Sequence, residues 1–298
     1  MSITNYLKVR NSRWIGYPIF MNSRAGFYFS ATLFFLRRFL RRKRGDAVLH
    51  RTPSRVAEIY DRERSARSQE MCERSIDLDE YVFGSPKDRD YILISDKTIY
   101  ESIRVARMTI LSILVDKIRQ LGLPSGTRIA EFGSGDGRNL LYLKTCFPTF
   151  EFKGYELSNE SVKLSIAAAN RFGIDVGFEQ YDLTTVDYDE SVELYDVCYT
   201  VHALEQLPVM HDIALRNILR RAKTNVLFLE PIHELYGRGL RDLLSRYRVI
   251  DLQRLSGFLR TIQAEEGIAF SAARLGVGDN PFNQTCCVEI LKRDGIRR

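Results

Sequence analysis

The stretch Glu131-Phe132-Gly133-Ser134-Gly135-Asp136-Gly137 decides the fold of this 298-residue chain. It follows the apolar-leaning residues 127–130 and precedes a run, residues 138–143, that suits a helix. Glycine suits such a turn because it accepts positive φ and has no side chain to hold a ligand away from the backbone. The free N–H groups at the start of the next helix favour an anionic or carboxylate-bearing ligand above the turn. The sequence therefore predicts a strand, a ligand-binding turn and a helix.

Acidic residues end this strand and two later ones. Dinucleotide-binding turns follow the spacing G-x-G-x-x-G, whereas the spacing here is E-x-G-x-G-x-G, with Glu131 at the strand end. A second strand-like run ends at Glu156, 19 residues after Gly137, and a third contains Asp182 near its end. An acid about 20 residues beyond a glycine-rich turn can accept hydrogen bonds from a ribose diol.

This order of glycines and acids resembles motif I and the following motifs of the class I S-adenosylmethionine-dependent methyltransferases. The resemblance covers residues 124–292. It implies an α/β fold, a doubly wound, Rossmann-like, seven-stranded sheet with an antiparallel last strand. It also implies S-adenosylmethionine as the cofactor, with Glu156 on the ribose and Asp182 on the adenine amino group. The residues expected at the cofactor are Glu131, Phe132, Gly133, Ser134, Gly135, Asp136, Gly137, Asn139, Glu156, Leu157, Asp182, Leu183 and Tyr199.

The rest of this region supplies further strand and helix patterns. Strands are predicted over residues 127–131, 150–156, 176–183, 194–200 and 225–231, with a closing hairpin over 267–271 and 285–291. Helices are predicted over residues 159–172 and 236–266. With helices on both faces of a parallel sheet, ligands bind outside the carboxyl ends of the strands.

Three domains are predicted from the shifts in composition: a tail over residues 1–45, a helical extension over 46–123 and the methyltransferase domain over 124–298. Residues 54–75 are rich in arginine and glutamate, which is typical of a solvated helix. Ser95 is a candidate N-cap for a helix over residues 97–121. The resemblance implies that the helical extension covers the cofactor and shapes the acceptor pocket.

The positive charge of the chain lies in its N-terminal tail. The net charge is +6, but residues 1–45 hold ten basic residues and no acid, which leaves 34 basic and 38 acidic residues elsewhere. Residues 25–36 are apolar and aromatic, and arginines follow at once. We expect residues 25–44 to bind an anionic membrane surface, since a span needs about 20 apolar residues and a secretion signal carries its charge before the apolar run. Packing against the chain's own core and an organelle transit peptide are the alternatives.

Methyl transfer from a sulfonium needs a base only where the acceptor loses a proton in the step. Candidates follow the fourth and fifth strands: His202 first, then Glu205, with Glu230 and His233 behind them. Neutral imidazole accepts a proton near neutral pH. The alternatives are that His202 bonds backbone at the strand end and that Glu205 caps a helix near residue 207. Tyr199 is expected to be a pocket wall.

Composition narrows the function further. The five cysteines are scattered and the four histidines form no zinc pattern, so we expect reduced thiols, no metal and a cytoplasmic protein, associated with a membrane only through its tail. Nucleic acid is disfavoured as a substrate because the catalytic part has no basic path for phosphates. Residues 280–283, Asn-Pro-Phe-Asn, lie too near the C-terminus for the motif of amino-methylating DNA enzymes. The expected activity is methyl transfer to oxygen of a small-molecule, glycan or lipid-linked acceptor. The alternatives are a protein or RNA methyltransferase and an inactive cofactor-binding subunit.

Overall fold

The computed structural model describes residues 23–43, 52–73, 75–185, 192–207, 211–251, 255 and 257–292. Its centre is a seven-stranded sheet in the order β5-β4-β3-β6-β7-β9-β8. The strands are β3 (Arg128–Phe132), β4 (Glu151–Glu156), β5 (Gly177–Gln180), β6 (Tyr195–Val201), β7 (Ala222–Glu230), β8 (Ile268–Val277) and β9 (Thr285–Lys292). The five strands from β5 to β7 are parallel, and β9 pairs antiparallel with both β7 and β8.

Helices cover both faces of this sheet. The described helices are α1 (Arg24–Lys43), α2 (Pro53–Glu73), α3 (Leu78–Phe83), α4 (Ile103–Gln120), α5 (Arg138–Cys146), α6 (Asn159–Phe172), α7 (His211–Arg221), α8 (Leu240–Asp251) and α9 (Phe258–Ala264). A buried apolar cluster lies on each side of the sheet, one around Ile129 and Leu140, the other around Phe132 and Phe228. The predicted α/β class, the seven strands and the antiparallel closing strand are confirmed.

The predicted helix over residues 97–121 is wrong in its first turns. Strands β1 (Arg89–Ile94) and β2 (Lys97–Ser102) form an antiparallel hairpin, and α4 begins only at Ile103. Ser95 is not an N-cap, because Ser95 and Asp96 form the two-residue turn with φ of 48° and 62°. Positive φ at both central residues is the geometry that joins two twisted strands tightly.

The predicted long helix over residues 236–266 is also wrong. A short 3₁₀ turn covers His233–Leu235, α8 ends at Asp251 and α9 starts only at Phe258. Gly257, just before α9, has φ of 79°, which an uninterrupted helix of L-residues does not allow. Strand β8 continues to Val277, beyond the predicted end at residue 271.

Part of the N-terminal tail packs against the rest of the chain. Phe27 and Ala31 of α1 are buried, and the Phe27 ring stacks on Tyr91 and Phe282 with centroids 4.3 and 5.5 Å apart. The Tyr28 hydroxyl lies 2.6 Å from the Thr98 hydroxyl. This inner face matches the core-packing alternative. Residues 1–22 and 44–51, part of the predicted tail and extension, lie outside the described residues. None of the helices within the described ranges is both long and apolar enough to cross a membrane.

Candidate functional site

A cavity of about 210 Å³ opens at the carboxyl ends of β3, β4 and β6. Its lining residues come from the glycine-rich turn, the ends of neighbouring strands and helix α2. They are Val56, Tyr60, Arg64, Gly133, Ser134, Gly135, Asp136, Arg138, Asn139, Glu156, Leu157, Tyr181, Asp182, Leu183, Val201, His202, Ala203, Gln206 and Leu207. Ten of the predicted site residues therefore share one cavity.

The glycine-rich turn needs its glycines for two physical reasons. Gly133, Gly135 and Gly137 have φ of 74°, 58° and 74°, in the left-handed region. The turn also lies close to its neighbours: a Cβ on Gly133 would lie 2.3 Å from the Cβ of Ala203. The backbone N–H of Gly133 donates to the Tyr155 carbonyl at 2.7 Å, which fixes the turn against the end of β4.

Glu156 lies beside the turn, and each of its two carboxylate oxygens accepts a hydrogen bond from a backbone N–H. Oε2 accepts from the Gly135 N–H at 2.8 Å and Oε1 from the Ser158 N–H at 2.9 Å. Burial raises the pKa of Glu156, and these backbone hydrogen bonds and the Arg64 guanidinium act against that rise. A carboxylate oxygen can accept two hydrogen bonds, so the carboxylate of Glu156 retains acceptor capacity for a ligand such as a diol.

Asp182 lines the cavity from the loop after β5. Its Oδ1 accepts from the backbone N–H and the hydroxyl of Thr184, at 2.8 and 2.7 Å. Among the described residues no hydrogen bond to Oδ2 is made, so this oxygen is available to a ligand donor. Leu183 and Leu157 lie beside these two acids in the cavity wall.

Four predicted cofactor residues lie behind the cavity wall instead of in it: Glu131, Phe132, Gly137 and Tyr199 are absent from the lining. Glu131 is fully buried and accepts from Asn139 Nδ2 at 2.7 Å and from the Tyr199 hydroxyl at 3.1 Å. Burial raises the pKa of Glu131 to about 8, against the opposing effect of these two hydrogen bonds. Glu131 therefore orients Asn139, which does line the cavity.

His202 lines the cavity, but neither ring nitrogen is free. Its Nε2 lies 2.8 Å from the Thr285 hydroxyl, and its Nδ1 lies 3.2 Å from Asn283 Nδ2 and 3.6 Å from Glu205 Oε1. Burial acts to lower the pKa of His202, but the Glu205 carboxylate outweighs it and the pKa is raised. The residue has φ of 52°, a strained value for a side chain of this size. His202 therefore contacts three neighbours: Glu205 after β6, Asn283 in the loop before β9 and Thr285 at the start of β9.

The other acid–base candidates do not line the cavity. Glu205 is buried, and its Oε1 accepts from the side-chain amides of Gln206 and Asn283. It lies in the 3₁₀ turn Leu204–Gln206, and the next helix begins only at His211, so it does not cap a helix near residue 207. His233 bonds the Leu255 carbonyl at 3.2 Å.

Glu230 has a structural task. Its Oε1 accepts from the Thr200 hydroxyl and from the backbone N–H groups of Ala203 and Leu204. Its side chain is fully buried, and burial raises its pKa. Glu230 therefore binds the start of the 3₁₀ turn that carries Glu205 and places Ala203 against the glycine-rich turn.

Sequence reasoning named no residue of helix α2 at the site, although the resemblance implied that the helical extension covers the cofactor. Val56, Tyr60 and Arg64 line the cavity from that helix, although residues 54–75 were expected to be a solvated helix. Their spacing of four residues puts them on one helical face, and this spacing was the available signal. The segment around Asn283 was also set aside, and the structure brings Asn283 to His202.

Solved structures share this fold. No protein-family model and no curated protein matches the chain. Magnesium protoporphyrin IX methyltransferase (ChlM) from Synechocystis PCC 6803 with bound SAM has a TM-score of 0.52 at 13% identity, over 83% of this chain and 100% of that one. The [4+2]-cyclase SpnF has a TM-score of 0.53 at 15% identity, over 84% of this chain and 100% of that one. The resemblance in fold is thus confirmed: the chain has the α/β fold of the class I S-adenosylmethionine-dependent methyltransferases.

Proposed function

We propose that this chain is an S-adenosylmethionine-dependent methyltransferase that acts on an oxygen atom of a small-molecule acceptor. The observation that carries the proposal is the meeting of the glycine-rich turn, Glu156 and Asp182 around one cavity. Each offers what a different part of the cofactor would need: close backbone approach, acceptors for a ribose diol and an acceptor for an adenine amino group. None of these three features by itself would identify the cofactor.

The residues present suit the cofactor. The carboxylate of Glu156 retains acceptor capacity, and Asp182 has Oδ2 free of hydrogen bonds to the described residues. Leu157 and Leu183 supply apolar wall for a planar base. When bound, the cofactor supplies a methyl group that is already activated by a sulfonium. The residues of the chain then have to bind, orient and exclude water.

The acceptor would enter at the end of the cavity formed by the loop after β6. Val201, Ala203 and Leu207 are apolar, and Gln206 and His202 are the polar groups there. Holding the acceptor oxygen in line with the methyl carbon and sulfur can lower a barrier by about 7–11 kcal/mol. For His202 to take a hydroxyl proton, it would have to exchange Thr285 or Asn283 for the acceptor. An acceptor oxygen that is already ionised would need no such exchange.

The neighbours in fold agree with a small-molecule acceptor. ChlM is, by its name, a magnesium protoporphyrin IX methyltransferase. We propose only that this chain shares its class of acceptor, a small molecule. SpnF shares this fold, but its name states a [4+2]-cyclase and not a methyltransferase. A cofactor-binding protein without methyltransferase activity is therefore the second candidate.

We also propose that residues 25–44 touch an anionic membrane surface. Two observations support this: residues 1–45 contain ten basic residues and no acidic residue, and Leu36 on α1 is exposed. Only the outer side of α1 is available to contact a membrane, because Phe27 and Ala31 on its inner side are buried against the rest of the chain. Sedimentation with anionic vesicles at low salt tests this, and full-length protein that stays in the supernatant refutes it.

The methylation reaction is tested by labelling cells through the methyl group of methionine. Extracts of cells with and without the gene are compared by mass spectrometry after denaturation. A labelled small metabolite or glycolipid that disappears with the gene supports the proposal. Labelled protein or RNA that disappears instead favours a macromolecular acceptor, and an unchanged profile favours the second candidate.

A further inference from the structure

Arg64 of helix α2 lies over the glycine-rich turn. Its Nη1 donates to Asp136 Oδ2 at 3.1 Å, and its Nη2 lies 3.9 Å from the position that a Cβ on Gly135 would take. Only 18% of its side chain is exposed. A guanidinium in this position, on a wall of the cavity, is well placed to meet a ligand.

One edge of this guanidinium has no hydrogen-bond partner among the described residues. Its Nε is buried and has no partner, and Nη2 makes no hydrogen bond within the described part of the chain. These two nitrogens form the edge that binds a carboxylate through two parallel hydrogen bonds. A buried charged donor left unpaired is costly, so a ligand that pairs with it gains the hydrogen bonds at little further desolvation.

The charges around Arg64 leave room for an anion. Asp136 is shared, because Arg138 also donates to it, from Nε at 2.9 Å and from Nη2 at 2.6 Å. One carboxylate therefore faces two guanidinium groups. Glu156 and Glu63 are the other acids that act on Arg64. The side-chain hydrogen bonds of Glu156 go to the backbone N–H groups of Gly135 and Ser158 and not to Arg64.

We propose that Arg64 binds the carboxylate of the cofactor's amino-acid part through Nε and Nη2. This inference rests on the proposed function, because it uses the same cavity and the same cofactor. With adenine at Asp182 and ribose at Glu156, the remaining part of the cofactor extends along the glycine-rich turn, where Arg64 lies. Helix α2 then contributes directly to cofactor binding and is more than a cover.

The helix itself is held in place without Arg64. Asp61 Oδ1 accepts from the Ser158 hydroxyl at 2.5 Å and from the Glu160 N–H at 3.3 Å, which fixes α2 to the start of α6. Replacing Arg64 should therefore leave α2 docked. Arg62, two residues earlier on the same helix, is exposed and offers a matched control.

The test compares two ligands on the full-length chain by titration calorimetry. One is S-adenosylhomocysteine, and the other is its decarboxylated analogue S-adenosyl-3-thiopropylamine, which keeps the nucleoside, the sulfur and the amine. Wild type and R62Q should prefer S-adenosylhomocysteine, and R64Q should lose about 10- to 100-fold in affinity for it while its affinity for the analogue is unchanged. R64K, which keeps the charge but not the two-nitrogen edge, should recover only part of the loss.

Two outcomes overturn the inference, and each is distinct from a failure of the proposed function. If R64Q binds S-adenosylhomocysteine as wild type does, or loses affinity equally for both ligands, Arg64 does not bind the carboxylate. If wild type binds neither ligand, the cofactor assignment itself fails. Unchanged binding of the analogue to R64Q also shows that this variant is folded.

Discussion

The Oε1 atom of Glu230 lies 2.8 Å from the backbone nitrogen of Ala203. The methyl group of Ala203 in turn fills the space beside Gly133, because a Cβ on Gly133 would lie 2.3 Å from that methyl carbon. A buried acid at the end of β7 thereby sets how closely the loop after β6 approaches the glycine-rich turn.

Glu230 should contribute strongly to stability. Glu230→Ala leaves the Thr200 hydroxyl and the N–H groups of Ala203 and Leu204 without their acceptor, at a cost of about 1–3 kcal/mol for each buried group. We expect the free energy of unfolding in urea to fall by about 3 kcal/mol. Glu230→Gln keeps an oxygen for these three donors and should cost clearly less. Equal losses in the two variants would contradict this account of Glu230.

Glu131 should make stability depend on pH. Its pKa in the folded protein is about 8, above the ordinary value of 4.5, so the folded state holds a proton that the unfolded state releases. This stabilisation is complete below pH 4.5 and is lost as the pH rises through 8. Glu131→Gln resembles the protonated form and cannot titrate. The free energy of unfolding of wild type minus that of Glu131→Gln should therefore fall by about 4 kcal/mol between about pH 5 and 9. A difference that stays constant with pH would refute the raised pKa.

Alanine substitutions at two glycines with similar φ can separate the cost of backbone strain from the cost of a steric clash. Gly133 and Gly126 have φ of 74° and 80°, but a Cβ on Gly126 would meet nothing within 4 Å. Gly126→Ala should cost only the strain of a left-handed residue, about 1–2 kcal/mol. Gly133→Ala adds the clash with Ala203 and should cost more free energy of unfolding and also weaken binding of S-adenosylhomocysteine. Similar losses in the two variants would show that the loop after β6 yields easily.

The docking of helix α1 can be measured through Phe27. This ring is 5% exposed and stacks on Tyr91 and Phe282, so Phe27→Ala should lower the free energy of unfolding by about 3 kcal/mol. Leu36→Ala, on the same helix but 51% exposed, should change it by less than about 0.5 kcal/mol. If Phe27→Ala were as mild as Leu36→Ala, α1 would not be part of the folded core.

The sequence was informative where one local pattern determines the structure. The E-x-G-x-G-x-G turn fixes its own backbone, and the acids Glu156 and Asp182 follow strands whose carboxyl ends must meet at one edge of the sheet. The hairpin at Ser95 and Asp96 was missed because neither residue is the glycine or asparagine that usually marks such a turn. The break at Gly257 was missed because apolar residues on both sides suit a helix.

Contacts between distant segments could not be predicted from a single sequence. Arg64 reaches Asp136 across 72 residues, and Asn283 reaches His202 across 81. No local spacing signals either pair. The same holds for the hydrogen bond between His202 and Thr285, which occupies one of the two ring nitrogens that could act as a general base. The position of a side chain in a strand-end loop is set by packing partners that the sequence does not identify.

The most direct test of the account is titration of S-adenosylhomocysteine into the wild-type protein and into Glu156→Ala and Asp182→Ala. Each variant removes a carboxylate that faces the cavity, so we expect one binding site in wild type and an affinity about 10- to 100-fold lower in each variant. Asp175→Ala, which changes an exposed acid just before β5, should bind as wild type does. Absence of binding to wild type, or unchanged affinity in both cavity variants, would contradict the assignment of this cavity to S-adenosylmethionine.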